Sequence, residues 1–558
     1  MLTKIAKIDP EKLKKSYRAI DEAASLLRGG ALVAFPTETV YGLGADAFNG
    51  DAIRAVYEVK GRPPDNPLII HISDIGQLEL LTDCVSDCAR ALINRFWPGP
   101  LTMVFKKKRD LPGFVTANLD TIAVRMPSHP VAQALIKAAG TPVAAPSANP
   151  SGKPSPTDGG HVIHDLKGKI AMIIDAGPVQ IGLESTVLDV SVAPAVILRP
   201  GGVTYEMIAE TTGSDNIALS FIARDNIKPA NIKPCPTKHG EHTSNKNVRS
   251  PGTAYKHYAP DAPMLLLKGD RLNAAFWMGL YIKQYSSQAG ARNQTGAGRS
   301  PDGAIGILAS DELIGALDPD IRTSVKIISL GSADAPEIAA RRFYGALREF
   351  DKTGVDFIIC EMCAQNGVGA ALTDRMVRAS DSKIINADNP TVLFVCTGNT
   401  CRSAMAEAIF NDEVKKHNNC QSDSGEPSKR SYPKAVSAGL YAGDGDPAAY
   451  DAIETLKRSN VDLRNHKAQS LDNNLVKNAN IILAMTQSHK MEILRRFPDA
   501  ALNTYTISEF TSAINPEASG AAPGDIGDPY GFGPAVYEKC ASSLFGMIAP
   551  IVASLINR

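Results

Sequence analysis

The chain is poor in cysteine and aromatic residues and carries no net charge. Its nine cysteines, an odd number spread over 558 residues, are too few for a disulfide framework. Lys+Arg equals Asp+Glu at 59 each, so no overall field attracts nucleic acid or an anionic membrane, although local basic patches are compatible with this sum. Neither the N-terminal residues nor any later stretch shows the apolar run of a signal peptide or a membrane span. These absences predict a cytoplasmic protein without a membrane contact.

What the sequence does contain is a globular composition in a long chain. Hydrophobic residues make up 44% and charged residues 21%, which is typical of soluble domains. A chain of 558 residues exceeds a single core, so its length indicates three or four domains. Apolar runs of strand length alternate with helical patterns, and polar residues gather at the predicted strand ends. The sequence therefore predicts an α/β multidomain protein.

The segment Gly30–Asp46 is the first to combine a predicted strand with a polar loop. The apolar run Ala31–Phe35 predicts a buried strand, and Pro36 ends its ladder because proline has no N–H to donate. Thr37–Thr39 follow, close to two glycines that let a ligand approach the backbone. Hydroxyls and a carboxylate in this setting suit a polar ligand, although an ordinary exit from a strand fits this segment by itself equally well.

Cations and small polar residues follow at other predicted strand ends. Lys60 and Arg62 flank a proline-bound turn before the predicted strand Leu68–Ile72, where they could clamp an anion or lie in a solvated loop. Arg125 ends another predicted strand, and a cation on its buried side must meet either a structural carboxylate or a ligand. Ser147 begins a further polar exit loop.

Three of these motifs together resemble a known family. Phe-Pro-Thr-Glu-Thr-Val-Tyr-Gly-Leu-Gly, Lys-x-Arg and Ser-x-Asn occur in this order, as they do in the YrdC-type threonylcarbamoyl-AMP synthases. The resemblance implies a twisted α/β domain with a concave pocket. It also implies a reaction of L-threonine, bicarbonate and ATP, the last as a substrate with Mg²⁺, without a bound prosthetic group. The product, threonylcarbamoyl-AMP, would pass to a downstream tRNA threonylcarbamoyl transferase, and pyrophosphate would be released.

The resemblance also assigns the site residues of this reaction. Those on the threonine side are Thr39, His71, Arg125, Ala145 and Ser185. Those on the ATP side are Lys60, Arg62, Asn66, Thr121, Ser147, Asn149, Ser155, Arg199 and Tyr258. Arg125 is the natural partner of the threonine carboxylate. Because the substrates supply the nucleophile, the protein has to hold several anions together and neutralise their charge.

The following residues are predicted to form a linker and an accessory domain. The polar stretch after residue 212 lacks periodicity, and Ser250–Pro260 resembles the segment that folds over the active site of the longer synthases, with Thr253 where they usually have Met. Arg341–Arg348 and Gly367–Arg375 resemble the accessory C-terminal domain, which implies a small Rossmann-like unit. Gln284–Ser300 is typical of a disordered insertion.

Two other patterns in this region are weak. The glycines near residue 367 do not match the dinucleotide-binding spacing Gly-x-Gly-x-x-Gly. Cys360-x-x-Cys363 could be half of a metal site, but no second pair follows at zinc spacing, so a thiol at a strand end is the simpler interpretation. We therefore expect no metal site.

A second chemistry is indicated near the C-terminus. The predicted strand Thr391–Cys396 runs into a turn that begins with Cys396 and ends with Arg402 and Ser403, and a helix is predicted next. Backbone N–H groups and the helix N-terminus would form an anion nest, to which Arg402 adds a bidentate phosphate contact. The same positive field favours a thiolate nucleophile, which Ser403 can hydrogen-bond. The alternative is an ordinary buried cysteine.

The spacing Cys-x5-Arg-Ser resembles the low-molecular-weight protein tyrosine phosphatases, which implies a doubly wound parallel sheet. Their general acid stands in an Asp-Pro pair, which Asp528 and Pro529 match here. The resemblance implies that Cys396, Arg402 and Asp528 are catalytic. It places these residues around the phosphate: Thr397, Gly398, Asn399, Thr400, Cys401 and Ser403. Members usually have proline where Ala404 stands.

The phosphatase substrate is left open between two classes. Thr400 resembles the protein-arginine phosphatase branch, whereas tyrosine phosphatases more often have an aliphatic residue there. We therefore expect a phosphoprotein substrate carrying phosphotyrosine or phosphoarginine. Cys401, close to the nucleophile, could form a protective disulfide under oxidation.

The predicted domains are a synthase domain at 1–212, a linker or lid at 213–260, an accessory domain at 261–388 and a phosphatase domain at 389–558. An alternative function is a module binding double-stranded RNA or tRNA together with a regulatory phosphatase. The neutral net charge and the short basic run Lys106–Arg109 make a tRNA contact secondary. A carbamoyl transferase of hydrogenase maturation is a third alternative, but its acylphosphatase segment and paired Cys-x-x-Cys modules are not found in this sequence.

Overall fold

The computed structural model describes the chain in seven stretches: 2–108, 112–219, 233–234, 258–287, 305–422, 432–514 and 524–556. The chain divides into two compact units. The first comprises 1–261, 330–353 and 363–381, and the second comprises 262–329, 354–362 and 382–558. Most of the predicted lid, most of the predicted disordered insertion and Arg109 lie outside the described residues. The predicted domain bounds stay a prediction.

The first unit is built on a mixed sheet of eleven strands. In spatial order these are Lys4–Lys7, Met172–Asp175, Val33–Phe35, Gly42–Asp46, Val143–Ala144, Ile69–His71, Thr121–Arg125, Leu101–Lys106, Thr186–Asp189, Ala195–Arg199 and Ile217–Leu219. A separate antiparallel pair joins Val192–Ala193 to Lys233–Pro234. The α-helices described in this unit are Tyr17–Arg28, Gly50–Lys60, Asp87–Phe96, Pro130–Ala139, Gly159–Leu166, Tyr205–Thr212, Pro336–Thr353 and Gly367–Ala379. Short 3₁₀ helices occur at Pro10–Ser16, Ile75–Leu80, Gly113–Thr116 and Ser214–Asn216.

Helices cover both faces of this sheet. Val33 and Phe35 share one hydrophobic core with residues of the helices Tyr17–Arg28 and Pro130–Ala139. Ala34, between them, belongs to the core on the other face, because successive side chains of a strand point to opposite sides. The strand Val33–Phe35 is therefore buried on both faces, as its continuous apolar sequence indicates.

In the sequence, Leu13, Tyr17, Ile20, Ala24 and Leu27 recur at helical spacing and predict an amphipathic helix over 11–29, but the structure interrupts this helix. The structure has a 3₁₀ segment at Pro10–Ser16, in which Lys12 has non-helical dihedral angles, and the α-helix begins only at Tyr17. Pro10 lies at the start of the 3₁₀ segment, and the Asp9 side chain accepts a hydrogen bond from the Glu11 N–H. The apolar spacing alone does not reveal this break.

The second unit contains two parallel sheets. The five-stranded sheet has the order Lys326–Ser329, Ile305–Ala309, Phe357–Glu361, Met264–Lys268 and Ile384–Asn386. The four-stranded sheet has the order Lys434–Gly439, Thr391–Cys396, Ile481–Ala484 and Thr504–Thr506. The α-helices described in this unit are Arg271–Ser287, Asp311–Ala316, Pro319–Ser324, Arg402–Ser422, Tyr450–Lys457, Asn473–Asn478, Gln487–Arg496, Ile507–Ile514 and Pro534–Ile556, and a 3₁₀ helix lies at Pro498–Ala500. The prediction of an α/β multidomain fold is confirmed.

The strand order of the four-stranded sheet locates its site. The chain goes from Thr391–Cys396 to one neighbour, Lys434–Gly439, and then to the neighbour on the other side, Ile481–Ala484. In open α/β sheets, ligands bind beyond the carboxyl ends of the strands at the point where the order reverses. Cys396, the last residue of its strand, lies at this point.

One helix among the described residues is long and apolar enough to span a membrane. This helix, Pro534–Ile556, has 23 residues. The prediction that no stretch has this length is therefore wrong. Side chains such as Leu544, Ile548 and Val552 are buried in the core of the second unit, which accounts for the apolar composition of the helix.

Candidate active sites

A cleft in the first unit contains most of the predicted synthase residues. Those that line it are Thr39, Arg62, His71, Arg125, Ala145, Ser147, Ser185, Arg199 and Tyr258. His71, Arg125 and Arg199 end their strands at one edge of the sheet, and Ser185 directly precedes a strand that begins at this edge. His71 and Arg125, for example, are direct partners in the register of two parallel strands.

Arg125 meets a structural carboxylate as well as the cleft. Its Nη2 atom lies 2.7 Å from Oε1 of Glu38, and both side chains are buried. Its Nη1 donates to the Thr39 hydroxyl at 2.9 Å. Burial raises the pKa of the Glu38 carboxyl, but the Arg125 charge and hydrogen bonds lower it further, so this pKa lies below its ordinary value. From the sequence, Glu38 is the carboxylate of a polar loop that suits a ligand, and its pairing with Arg125 is not predicted.

His71 contributes a neutral ring to the cleft. Burial, with the nearby charge of Arg125, lowers the pKa of His71 to about 3. Its Nδ1 atom lies 3.2 Å from the carbonyl oxygen of Ile69. At neutral pH the imidazole is therefore uncharged and can exchange hydrogen bonds with a ligand without adding a charge.

Arg62 and Arg199 place two guanidinium groups on the cleft wall. Arg62 is held by the carbonyl oxygens of Asn66 and Pro67, at 3.3 and 3.1 Å. Arg199 donates to the carbonyl oxygen of Ser185 at 3.0 Å and to its hydroxyl at 3.3 Å. Burial lowers the pKa of Arg62 to about 10, at which the group still carries its charge at neutral pH. Both groups are thus fixed cations suited to phosphate oxygens.

Five predicted ATP-side residues do not line the cleft: Lys60, Asn66, Thr121, Asn149 and Ser155. Asn149 donates to the carbonyl oxygens of Pro150 and Lys153, which closes its own turn. Ser155 donates to Glu184, a cleft residue that the sequence analysis did not identify. Asn66 has both polar side-chain atoms buried without a hydrogen-bond partner among the described residues.

Lys60 supports the cleft from behind. Its ammonium group donates to the carbonyl oxygens of Ser147 and Asn149 and is buried. Burial, with the neighbouring charge of Arg62, lowers the pKa of Lys60 well below its ordinary value. Lys60 therefore fastens the polar loop that carries Ser147.

We expect Lys60→Met to lower mainly the stability of the protein and Arg62→Met to weaken mainly the binding of ATP. Lys60→Met leaves two buried carbonyl oxygens unpaired and should lower the free energy of unfolding by about 2 kcal/mol or more. Arg62→Met removes a cation from the cleft and should mainly raise the KM for ATP, by about tenfold. Chemical denaturation and steady-state kinetics measure the two quantities. Unchanged stability with a raised KM in Lys60→Met would instead indicate a direct contact with ATP.

The second site is the loop between Cys396 and the helix Arg402–Ser422. Ser403 Oγ lies 3.0 Å from Cys396 Sγ, and the N–H of Asn399 donates to the same sulfur at 3.3 Å. Asn399 has a positive φ of 58°, a conformation that asparagine tolerates better than most residues. Its side chain holds the loop by donating to Ser403 at 2.9 Å and to Ser437 at 2.8 Å. These contacts support the sulfur with hydrogen-bond donors.

The pocket above this loop contains most of the predicted phosphatase residues. Its predicted lining residues are Cys396, Thr397, Gly398, Thr400, Cys401, Arg402 and Asp528. Asn399 and Ser403 are buried beneath it. Two tyrosines at the rim of the pocket, Tyr441 and Tyr530, are not predicted from the sequence, and their side chains are exposed by 68% and 70%. Tyr530 directly follows the Asp-Pro pair in the sequence, and this position could have identified it as a pocket residue.

Arg402 and Asp528 are already in contact. Arg402 Nη2 lies 2.7 Å from Asp528 Oδ2, and Nη1 donates to the carbonyl oxygen of Ile526 at 3.2 Å. The Arg402 side chain is almost fully buried, whereas that of Asp528 is half exposed. The fixed guanidinium and the accessible carboxyl therefore face the same pocket as the Cys396 sulfur.

Apart from Cys396, the six further cysteines whose side chains the structure describes are not in disulfides. Cys401 is buried, with Sγ 3.4 Å from the Tyr537 hydroxyl, and burial raises the pKa of its thiol. Its disulfide under oxidation stays a prediction. Cys360 and Cys363 are free as well. Within the part of the chain that the structure describes, no three His, Cys, Asp or Glu side chains come together as a metal site requires.

Comparison with known proteins identifies both regions. Residues 25–201 match the Sua5/YciO/YrdC family model, described as telomere recombination. Residues 203–381 match the model of the threonylcarbamoyl-AMP synthase C-terminal domain. Residues 391–555 match that of the low molecular weight phosphotyrosine protein phosphatases.

Individual relatives support the match to the synthase family. A threonylcarbamoyl-AMP synthase of Bacillus subtilis is 43% identical over 378 residues, which cover 67% of this chain and 96% of the relative. One from Pyrococcus abyssi is 41% identical over 363 residues, covering 65% and 94%. The crystal structure of P. abyssi Sua5 complexed with L-threonine matches with a TM-score of 0.56 at 38% identity, covering 69% of this chain and 99% of that one. The chain thus belongs to the threonylcarbamoyl-AMP synthases and carries a low-molecular-weight phosphatase domain, so it combines a nucleotidyltransferase with a hydrolase.

Proposed function

We propose that the first unit makes threonylcarbamoyl-AMP from L-threonine, bicarbonate and ATP, and that the product serves threonylcarbamoyladenosine formation in tRNA. A downstream transferase would use the product, and both activities would act in the cytoplasm. The observation that carries the proposal is the cleft, which joins Arg125 and Thr39 to the two cations Arg62 and Arg199.

The threonine side follows from the contacts around Arg125. The guanidinium is buried, held in place by Glu38 and Gly99, and still borders the cleft, where a carboxylate would find a preorganised partner. Thr39 and Ser185 supply hydroxyls, and the neutral His71 adds a hydrogen-bonding group. The L-threonine bound by the P. abyssi relative supports this assignment.

The ATP side has to hold phosphates for a displacement at the α-phosphorus. Bicarbonate and the threonine amine condense to a carbamate with loss of water, and a carbamate oxygen forms a bond to the α-phosphorus. The bond to the β-phosphate oxygen breaks, and pyrophosphate leaves. Arg62 and Arg199 would neutralise the phosphates, with Mg²⁺ entering as part of the ATP substrate. The unpaired amide of Asn66 supports a role beside these cations, because a buried amide is costly without a partner.

The test is pyrophosphate release from ATP by the full chain. We expect release only when L-threonine and bicarbonate are both present, together with a new product that contains the threonyl and AMP groups. Serine in place of threonine is the matched substrate control, because it lacks only the methyl group. Release that does not require both co-substrates would contradict the synthase proposal.

For the second unit we propose hydrolysis of a phosphoprotein through a phospho-cysteine. The Cys396 sulfur attacks phosphorus while Asp528 protonates the leaving group, and Asp528 then takes a proton from the water that releases phosphate. Arg402 would bind the phosphoryl oxygens, for which its buried guanidinium is already oriented. Ser403, 3.0 Å from the sulfur, would stabilise the thiolate each time it forms.

Thr400 lines the pocket, and we propose that it discriminates between phosphoarginine and phosphotyrosine substrates. We expect Thr400→Ile to lower kcat/KM for a phosphoarginine peptide by about tenfold relative to a matched phosphotyrosine peptide, since an aliphatic residue removes a hydroxyl that can bond to a guanidinium. Thr400→Ser, which keeps the hydroxyl, is the control. An equal loss on both peptides would remove Thr400 as the discriminating residue.

A further inference from the structure

Glu184 brings a buried carboxylate to the wall of the synthase cleft. Its carboxylate accepts a hydrogen bond from Ser155 at 2.5 Å and from the Tyr344 hydroxyl at 3.0 Å, and an ion pair with Arg375 Nε at 2.8 Å completes its surroundings. The residue is 7% exposed and lines the cleft beside Ser185 and Arg199. A negative charge at this position would repel the phosphates of ATP unless another group cancels it.

Arg375 is the ion-pair partner of Glu184 and, with the nearby charge of Arg199, compensates its negative charge. It lies on the helix Gly367–Ala379 and is fully buried. Besides Glu184, its guanidinium contacts Asp374 at 2.7 Å and the carbonyl oxygen of Pro200, next to Arg199, at 2.8 Å. Its central carbon lies 5.8 Å from the centre of the Tyr258 ring, which borders the cleft. One side chain thus contacts Glu184 and two segments that carry predicted ATP-side residues, those of Arg199 and Tyr258.

The neighbouring helix, Pro336–Thr353, also contacts the loops that lead to Glu184 and Ser155. Arg341 Nε donates to the carbonyl oxygen of Gln180 at 2.7 Å, and Arg348 donates to that of Pro154 at 2.6 Å, one residue before Ser155. Gly182 packs so closely that an added Cβ would lie 2.4 Å from the Cα of Arg341. Backbone contact of this closeness fixes the helix pair firmly against the loop that ends in Glu184.

We propose that Arg375 is a positioning residue of the synthase site, which keeps the ATP side of the cleft free of a negative charge by pairing with Glu184. The accessory helices would then serve ATP binding directly, because among the described residues the ion-pair partner of Glu184 is Arg375 and not a cation of 1–212. This inference rests on the proposed assignment of Arg199 and Tyr258 to ATP.

The experiment compares three variants of the full chain in the pyrophosphate assay. We expect Arg375→Met to raise the KM for ATP by about tenfold or more, because Glu184 loses its counter-ion, with the KM for L-threonine changed less than about twofold. The double variant Glu184→Gln/Arg375→Met carries no charge at either position and should restore the KM for ATP to within about threefold of wild type. Arg378→Met is the matched control, because Arg378 lies on the same helix and pairs with Asp374 instead of Glu184.

The double variant separates charge cancellation from a merely structural role. If Arg375→Met does not fold, the KM for ATP of the double variant tests the proposal instead, because the double variant has no unpaired buried carboxylate. A double variant that folds but keeps a tenfold raised KM for ATP would overturn the proposal, and so would an Arg375→Met protein with wild-type KM values. Wild-type protein that releases pyrophosphate without threonine or bicarbonate would instead refute the proposed function itself.

Discussion

Cys396→Ser is expected to abolish hydrolysis of an aryl phosphate, by at least about 10⁴-fold in kcat, while pyrophosphate release from ATP is retained. Serine keeps the shape of the side chain and its contact with Ser403, but a hydroxyl at this position is a far weaker nucleophile than a thiolate. The loop and Arg402 remain, so the variant should still bind inorganic phosphate. Phosphate release from the aryl ester and pyrophosphate release from ATP, measured on one preparation, give both activities.

The control for the chemical change is Cys84→Ser, which alters an exposed thiol outside the second unit. It should leave both activities unchanged. Trapping of the wild-type enzyme with rapid acid quench should yield a phosphate group on Cys396, and this signal should disappear in Cys396→Ser. Residual activity of Cys396→Ser above one part in a hundred would mean that another group is the nucleophile.

Arg125→Met is expected to cause the second large loss, in both stability and synthase activity. It leaves the Glu38 carboxylate buried without its counter-ion, and breaking a buried pair in this way costs about 3–5 kcal/mol of unfolding free energy. It also removes the proposed partner of the threonine carboxylate. Denaturant unfolding and threonine-dependent pyrophosphate release measure the two effects.

The double variant Glu38→Gln/Arg125→Met separates stability from substrate binding. With both charges removed, most of the lost stability should return, because a neutral pair leaves no buried charge uncompensated. Synthase activity should not return, and recovery of threonine-dependent release would show that Arg125 does not bind the substrate. The chain has two tryptophans, Trp97 in the first unit and Trp277 in the second, so a Trp277→Phe background lets fluorescence report on the first unit alone.

Local structure could be predicted where the signal is local. In the sequence, Pro130 predicts the start of a helix and Gly140 its end, and the structure has this helix at Pro130–Ala139, with φ of 68° at Gly140. The strand Thr391–Cys396 was predicted with equal accuracy from a continuous apolar run. Between 11 and 29 the apolar spacing predicted one helix, but the non-helical backbone at Lys12 breaks it.

The two candidate sites differ in how far apart their residues lie in the sequence. The phosphate loop lies within a few residues of sequence, so Cys396, Arg402 and Ser403 could be identified together and the structure brings them around one pocket. The synthase cleft is assembled from residues far apart in the chain. Lys60 has the residue type of a phosphate ligand, yet its ammonium is used by two backbone carbonyl oxygens 87 and 89 residues away.

The α/β class and the residue types available for each site follow from composition, local periodicity and short motifs. The two chemistries follow from the resemblance of those motifs to two families. The pairing of the buried charges depends on the fold: Arg125 pairs with Glu38, and Glu184 pairs with Arg375, which is 191 residues away along the chain. The physical reason is that a buried charge requires a counter-ion at contact distance, and folding can supply it from any part of the chain.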